Sequence, residues 1–274
     1  MPRSSGSTQY SEETVRYFTP TCLSCRNGDM LNPVHVLTAN GGQGYQAYDI
    51  SGGYHGDQQT EMHLYRDGAE IPVQTGIAWI AYPFFGYVNP YFTLPPERAN
   101  YRLTEHYTAD FAMQRYARTV DTSWTFASRR PTSGFTSLED GGNCMGWYIT
   151  VGRKDVCEPT SQLFVGYDLG LDLDNTVRAG RSQRVTLSAY HNYLLDRAPK
   201  VRRLELWVSH DDGVTWKSVR TSSVGDGSFA ATIANPPLAR TTGAVTLRVR
   251  ATDERGNTVD QTTPRAYGLR QDGS

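Results

Sequence analysis

The stretch from Leu204 to Trp216 constrains the fold of this chain more than any other. Leu204, Leu206 and Val208 alternate with Glu205 and Trp207, the period of a half-buried strand. The run then meets Asp211-Asp212-Gly213, a turn signal in which glycine takes a positive φ without steric cost. It resumes as Thr215-Trp216-Lys217-Ser218-Val219. A second hairpin reads Met62-His63-Leu64-Tyr65, the turn Arg66-Asp67-Gly68, then Ala69 to Val73. Asp-Gly between two alternating runs is the strongest short-range hairpin signal. With 26 Gly, 17 Tyr and 14 Pro and no long amphipathic helix, the chain is expected to be all-β.

The turn spells Ser209-x-Asp211-x-Gly213-x-Thr215-Trp216 and is similar to the Asp-box of sialidase-like propellers. The expected role is structural. The Asp211 carboxylate and the Ser209 or Thr215 hydroxyl can bond the turn's backbone N–H groups, and Trp216 can cover the hairpin base. A sialidase would need repeated boxes and an arginine cluster.

The strand rhythm divides the chain. Residues 1–13 read as a flexible leader or linker, 14–160 as an irregular β-sandwich domain, 161–270 as a second sandwich and 271–274 as a tail. Glu158-Pro159-Thr160-Ser161 marks the boundary. Beyond it, strands are expected at 163–172, 184–191, 201–209, 215–220, 228–233, 244–252 and 258–267. Seven short strands in about 110 residues is the rhythm of an immunoglobulin-like or fibronectin-III-like sandwich.

The formal net charge of -1 gives no bulk attraction to nucleic acid or an anionic membrane. No apolar run reaches the roughly 18 residues of a membrane helix. Four cysteines, Cys22, Cys25, Cys144 and Cys157, read as two disulfides in a secreted chain, with the local pairing Cys22–Cys25 and Cys144–Cys157. The second loop would contribute about 3 kcal/mol in the chain-entropy model. Zinc is the alternative, because Cys22-x-x-Cys25 has ligand spacing, but the second pair does not repeat it. None of the six histidines forms His-x-x-x-His, and Asp168, Asp172, Asp174 and Asn175 lack the glycine and distal glutamate of a calcium loop. No cofactor and no metal are expected.

Two stretches carry potential binding surface. Residues 39–60 are dense in Gly, Gln and Tyr. Residues 76–88 hold Trp79, Tyr82, Phe84, Phe85 and Tyr87, which either form buried strands around Pro83 or stack on sugar rings. Trp79, Tyr82, Phe85 and Tyr87 are the candidate binding residues.

Tyr101-Arg102-Leu103-Thr104, Thr122-Ser123-Trp124-Thr125-Phe126, Leu204 to Trp216 and Arg248 to Thr262 follow in an order that resembles one group of proteins. It is the C-terminal, non-catalytic β-sandwich region of large secreted subtilisin-like (S8) serine peptidases of actinobacteria. The resemblance covers residues 60–270. Asp-Thr-Gly, His-Gly-Thr and Gly-Thr-Ser-Met-Ala do not occur, nor does Gly-x-Ser-x-Gly. It therefore implies an extracellular accessory region, not itself an enzyme, that stabilises, spaces or targets an upstream catalytic domain of the same polypeptide. A carbohydrate- or cell-surface-binding module is the alternative, its partner a polysaccharide. Intact mass after thiol blocking tests the compartment: reduction should add four hydrogens without releasing metal, whereas one zinc per chain would overturn the disulfide reading.

Overall fold

The computed structural model describes residues 21–22, 24–33, 37–38, 45–46, 58–79, 86–109, 114–136, 143–144, 156–192 and 195–271. Strand is the dominant structure of these residues, and the helix among them is one 3-10 turn, Leu238–Arg240.

Alternation decides which side of each strand is buried. In Ser182–His191 the side chains of Val185, Leu187 and Ala189 are buried. In Val201–Ser209 the same holds for Leu204, Leu206 and Val208, and in Thr119–Ser128 for Val120, Thr122, Trp124 and Phe126. The turns follow the Asp-Gly chemistry. Asp67 and Gly68 have φ of 52° and 82°, so both central residues of that hairpin are left-handed, as a type I′ turn requires. At Gly227 (φ +73°) a Cβ would also stand 2.4 Å from the Ala189 carbonyl oxygen, so glycine is needed there for space as well as for conformation.

The largest sheet has nine strands. Across it run Lys217–Val219, Val201–Ser209, Ala244–Asp253, Thr258–Arg270, Thr119–Ser128, Ala99–Ala109, Gln58–Arg66 and Ala69–Ile71, each antiparallel to the next. The ninth, Thr176–Arg178, lies parallel to the end of Thr258–Arg270. A four-stranded sheet faces it, in the order Leu163–Asp168, Ser182–His191, Ser228–Ala234, Thr221–Gly225. Their inner faces belong to one apolar cluster that runs from Leu31 and Phe92 through Trp124 to Val249 and Leu269. This is sheet-on-sheet packing around a shared core. A six-stranded sheet containing Cys25–Asn27, Val156–Pro159, Gly86–Thr93 and Gln74–Trp79 completes the N-terminal part.

Two features differ from the sequence expectation. The large sheet runs straight through the boundary expected at 158–162, because Thr119–Ser128 pairs with Thr258–Arg270. The strands Thr176–Arg178 and Thr221–Gly225 are too short to carry a readable alternation.

Polar contacts fix the seam between the expected halves. The Trp124 indole N–H, on the N-terminal side, donates to the Leu163 carbonyl at 2.8 Å. The buried Tyr167 hydroxyl donates to Gln261 at 2.7 Å, and the Gln261 amide donates to the Thr122 hydroxyl at 3.0 Å. Each link is satisfied inside the core, where an orphaned partner would be costly. Trp124→Phe should destabilise the chain by about 1–3 kcal/mol through the orphaned Leu163 carbonyl. Urea unfolding should remain one transition whether followed by fluorescence or circular dichroism. Two separate transitions, only one of them shifted, would contradict the shared core.

Candidate functional site

The face of the large sheet turned away from the core is a polar surface whose composition follows from the same alternation. On each strand the residues between the buried ones point outward, and the register aligns them into rows. One row reads Trp207, Arg248, Thr262, Asp121, His106, Glu61. The next reads Glu205, Arg250, Asp260, Ser123, Thr104, His63. A third reads Thr252, Thr258, Thr125, Arg102, Tyr65.

The middle of this face is small and hydroxylated, at Thr104, Ser123, Thr125, Thr258 and Thr262. Longer side chains rise at its sides, and together they shape an open trough of about 550 Å³. Its five strands span about 19 Å at the usual sheet spacing of about 4.8 Å. The Arg102 guanidinium lies 4.2 Å from the Tyr65 ring centroid, and that of Arg248 5.6 Å from Trp207. Both are within cation–π range, at opposite margins of the face.

Charges on the trough are mostly paired. Arg248 donates to both Asp260 oxygens at 2.9 and 2.8 Å, a bidentate fork. His106 Nδ1 is 2.6 Å from Asp121, and His63 lies between Glu70 at 2.6 Å and Glu61 at 2.9 Å. Hydrogen bonds donated to Glu70 and then Glu61 hold the His63 imidazolium and raise its pKa above the ordinary 6.5. The trough is thus a hydroxyl-rich surface whose exposed charges stand largely in pairs, suited to a ligand that is itself polyhydroxylated. Among the described residues no three His, Cys, Asp or Glu side chains converge as a metal site would require.

The residues singled out by the sequence lie elsewhere. Tyr82 and Phe85 fall outside the described residues. Trp79 and Tyr87 sit on an antiparallel pair, Gln74–Trp79 with Gly86–Thr93, and their side chains fall outside the described set. Cys25 and Cys157 are fully buried and disulfide-bonded; Cys22 and Cys144 occupy facing positions on two short parallel strands.

At the 209–216 turn, Asp211 accepts from the Thr215 N–H at 2.8 Å and from the Ser209 and Thr215 hydroxyls at 2.6 and 2.5 Å. Ser209 in turn accepts from the Gly213 N–H at 2.8 Å. These hydroxyl donors pull the Asp211 pKa down to about 2. Trp216 lies 38% exposed, and a Cβ added at Gly213 would stand 3.7 Å from its ring. All of these contacts stay within the hairpin. Asp174 accepts from the Thr176 N–H and hydroxyl, and Asp172 pairs with Arg270, so neither carboxylate faces an open site. His35 and His55 fall outside the described residues, His191 is buried against the Gln162 carbonyl, and His210 against Asn235.

Sequence reading missed the trough. Its residues look like ordinary outward positions on five separate strands, and only the pairing brings them together. The available signal was the run of small hydroxylated residues at alternate places in Thr119–Ser128 and Thr258–Arg270.

The raised His63 pKa has a definite sign. Its contribution to stability is complete below the ordinary 6.5 and is lost as pH rises through the higher folded value. A proton NMR titration should place the His63 midpoint above 6.5, and Glu70→Gln should move it down; an unmoved midpoint would contradict this pairing.

No family model matches the chain, and no curated protein matches it. A solved chain titled "Chimeric titin Z1Z2 functionalized with a KLER exogenous peptide from decorin" is similar at 14% identity, over 80% of this chain and 91% of that one, with a TM-score of 0.22. That likeness is too low to bear on fold or function.

Proposed function

We propose that this chain is a non-catalytic accessory module of a longer secreted protein, and that it works by holding a glycan in the trough on the outer face of its large sheet. The observation that carries the reading is the trough itself: a broad, exposed, hydroxyl-lined surface whose exposed charges stand largely in pairs. A polyhydroxylated ligand can exchange hydrogen bonds with Thr and Ser side chains there at little desolvation cost, and Tyr65 and Trp207 offer ring surface at the margins.

The strand order of 163–270 supports an immunoglobulin-like frame. Leu163–Asp168, Ser182–His191, Ser228–Ala234 and Thr221–Gly225 fall in the order A-B-E-D, and Thr258–Arg270, Ala244–Asp253 and Val201–Ser209 in the order G-F-C. The likeness to C-terminal regions of subtilisin-like peptidases supports placing the module beside a catalytic domain, where glycan binding would target that domain to a polysaccharide or cell surface. The aromatic stretch at Trp79, Tyr82, Phe85 and Tyr87 stays a second contact candidate within this reading.

Polysaccharide pull-down and calorimetry test it. Ser123→Tyr with Thr125→Tyr should fill the trough floor and weaken glycan binding at least tenfold, about 1.4 kcal/mol, with the melting temperature held within a few degrees. Undiminished binding would remove the trough, and hydrolysis of the glycan or a peptide by the purified chain would remove the non-catalytic assignment.

A further inference from the structure

At one end of the trough the surface changes character. A cleft of about 270 Å³ opens there, lined by Arg26, Arg98, Arg129 and Arg255 against one carboxylate, Glu158. The four arginines come from four separate segments: a strand of the six-stranded sheet, the approach to Ala99–Ala109, the exit of Thr119–Ser128, and the turn between Ala244–Asp253 and Thr258–Arg270. Thr125 lines both the trough and the cleft, and Asn257 in the cleft adjoins Thr258 in the trough. The two are therefore one continuous surface.

The arginines divide by role. Arg26 is 2% exposed and already committed, donating to the Gly28 carbonyl at 3.0 Å and the Pro95 carbonyl at 2.5 Å. Arg98, Arg129 and Arg255 are exposed, and among the described residues none of their guanidinium groups has a hydrogen-bond or ion-pair partner. This sets them apart from Arg248, Arg265 and Arg270, each held by a carboxylate.

The backbones beneath them are fixed. The Arg130 N–H donates to the Pro96 carbonyl at 3.0 Å, which ties the segment carrying Arg129 to the one carrying Arg98. The buried Asp253 carboxylate accepts from the N–H groups of Arg255 and Asn257 at 2.8 and 2.9 Å and from the Asn257 side-chain amide at 2.6 Å, so the Arg255 turn is held from inside. Three guanidinium groups without a partner among the described residues, on braced backbones around a concavity, focus a positive potential. Guanidinium also suits two-point recognition of sulfate, phosphate or carboxylate oxygens.

We propose that this cleft is an oxyanion subsite, and that the glycan held by the trough is an acidic one whose charged substituent sits among Arg98, Arg129 and Arg255. The proposal rests on the glycan reading of the trough and adds the charge of the ligand. The anion is a sulfate ester or a uronate carboxylate, which share the chemistry that the arginines recognise.

Calorimetry with dextran sulfate, polygalacturonate and neutral dextran, each with the wild type and two variants, tests it. The triple variant Arg98→Gln, Arg129→Gln, Arg255→Gln should bind the acidic polymers roughly thirtyfold more weakly, since three partly exposed charge contacts contribute a factor of about three each. Its affinity for neutral dextran should not change, and the salt dependence of acidic-glycan binding should flatten. Whichever acidic polymer binds more tightly identifies the anion.

Full retention of acidic-glycan affinity by the triple variant would overturn the subsite and leave the trough reading intact. Arginine-dependent binding that survives Ser123→Tyr with Thr125→Tyr would keep the cleft as an anion site and overturn the trough reading and the shared-glycan proposal. Equal binding of polyglutamate would overturn the glycan assignment, and no binding of any polymer would overturn both readings.

Discussion

Thr258–Arg270 is hydrogen-bonded along both of its edges. One edge pairs with Ala244–Asp253. The other is shared: its first residues pair with Thr119–Ser128 and its last with Thr176–Arg178. Between these segments, Arg265 has a positive φ of 47° and the register against Ala244–Asp253 shifts. Such an irregularity lets a strand change its twist and its neighbours. An edge that would otherwise present unpaired N–H and C=O groups is thereby covered twice from within the chain. The N-terminal strands become an extension of the C-terminal sheet, and the outer face becomes broad enough to hold a trough.

The buried polar groups at this seam act as register pins. Sliding Thr258–Arg270 by one residue would turn Gln261 outward and separate it from Tyr167 and Thr122. Asp253 does similar work at the neighbouring turn. It organises Arg255 to Asn257 and lies 3.4 Å from the His191 ring, whose pKa burial pushes down. Arg255 of the cleft thus stands on a turn whose geometry is set by the core.

Local structure was legible in the sequence where the chemistry is local. The Asp-Gly turns, the alternation of Leu204, Leu206 and Val208, and the contacts available to Ser209, Asp211 and Thr215 all concern residues within a few positions of one another. The assembly of the large sheet was not legible in the same way. Gln261 and Thr122 are 139 residues apart, and a period of two says which side of a strand is buried but not which strand lies beside it. The expected division at Glu158-Pro159-Thr160-Ser161 failed to anticipate this pairing, because a loop with turn residues marks a break in secondary structure and carries no information on sheet continuity. The trough and the arginine cleft are products of that pairing: the alternate hydroxylated residues of Thr119–Ser128 and Thr258–Arg270 are legible one strand at a time, but not as one surface, and Arg98 had no signal of its own.

Native-state hydrogen exchange tests the shared strand most directly. If Thr258–Arg270 joins both parts into one core, the amides of residues 121–125 and 258–262 should exchange at comparable rates, both through global unfolding. Residues 121–125 exchanging several hundredfold faster, with 258–262 still protected by Ala244–Asp253, would contradict the account and return the chain to two independent halves.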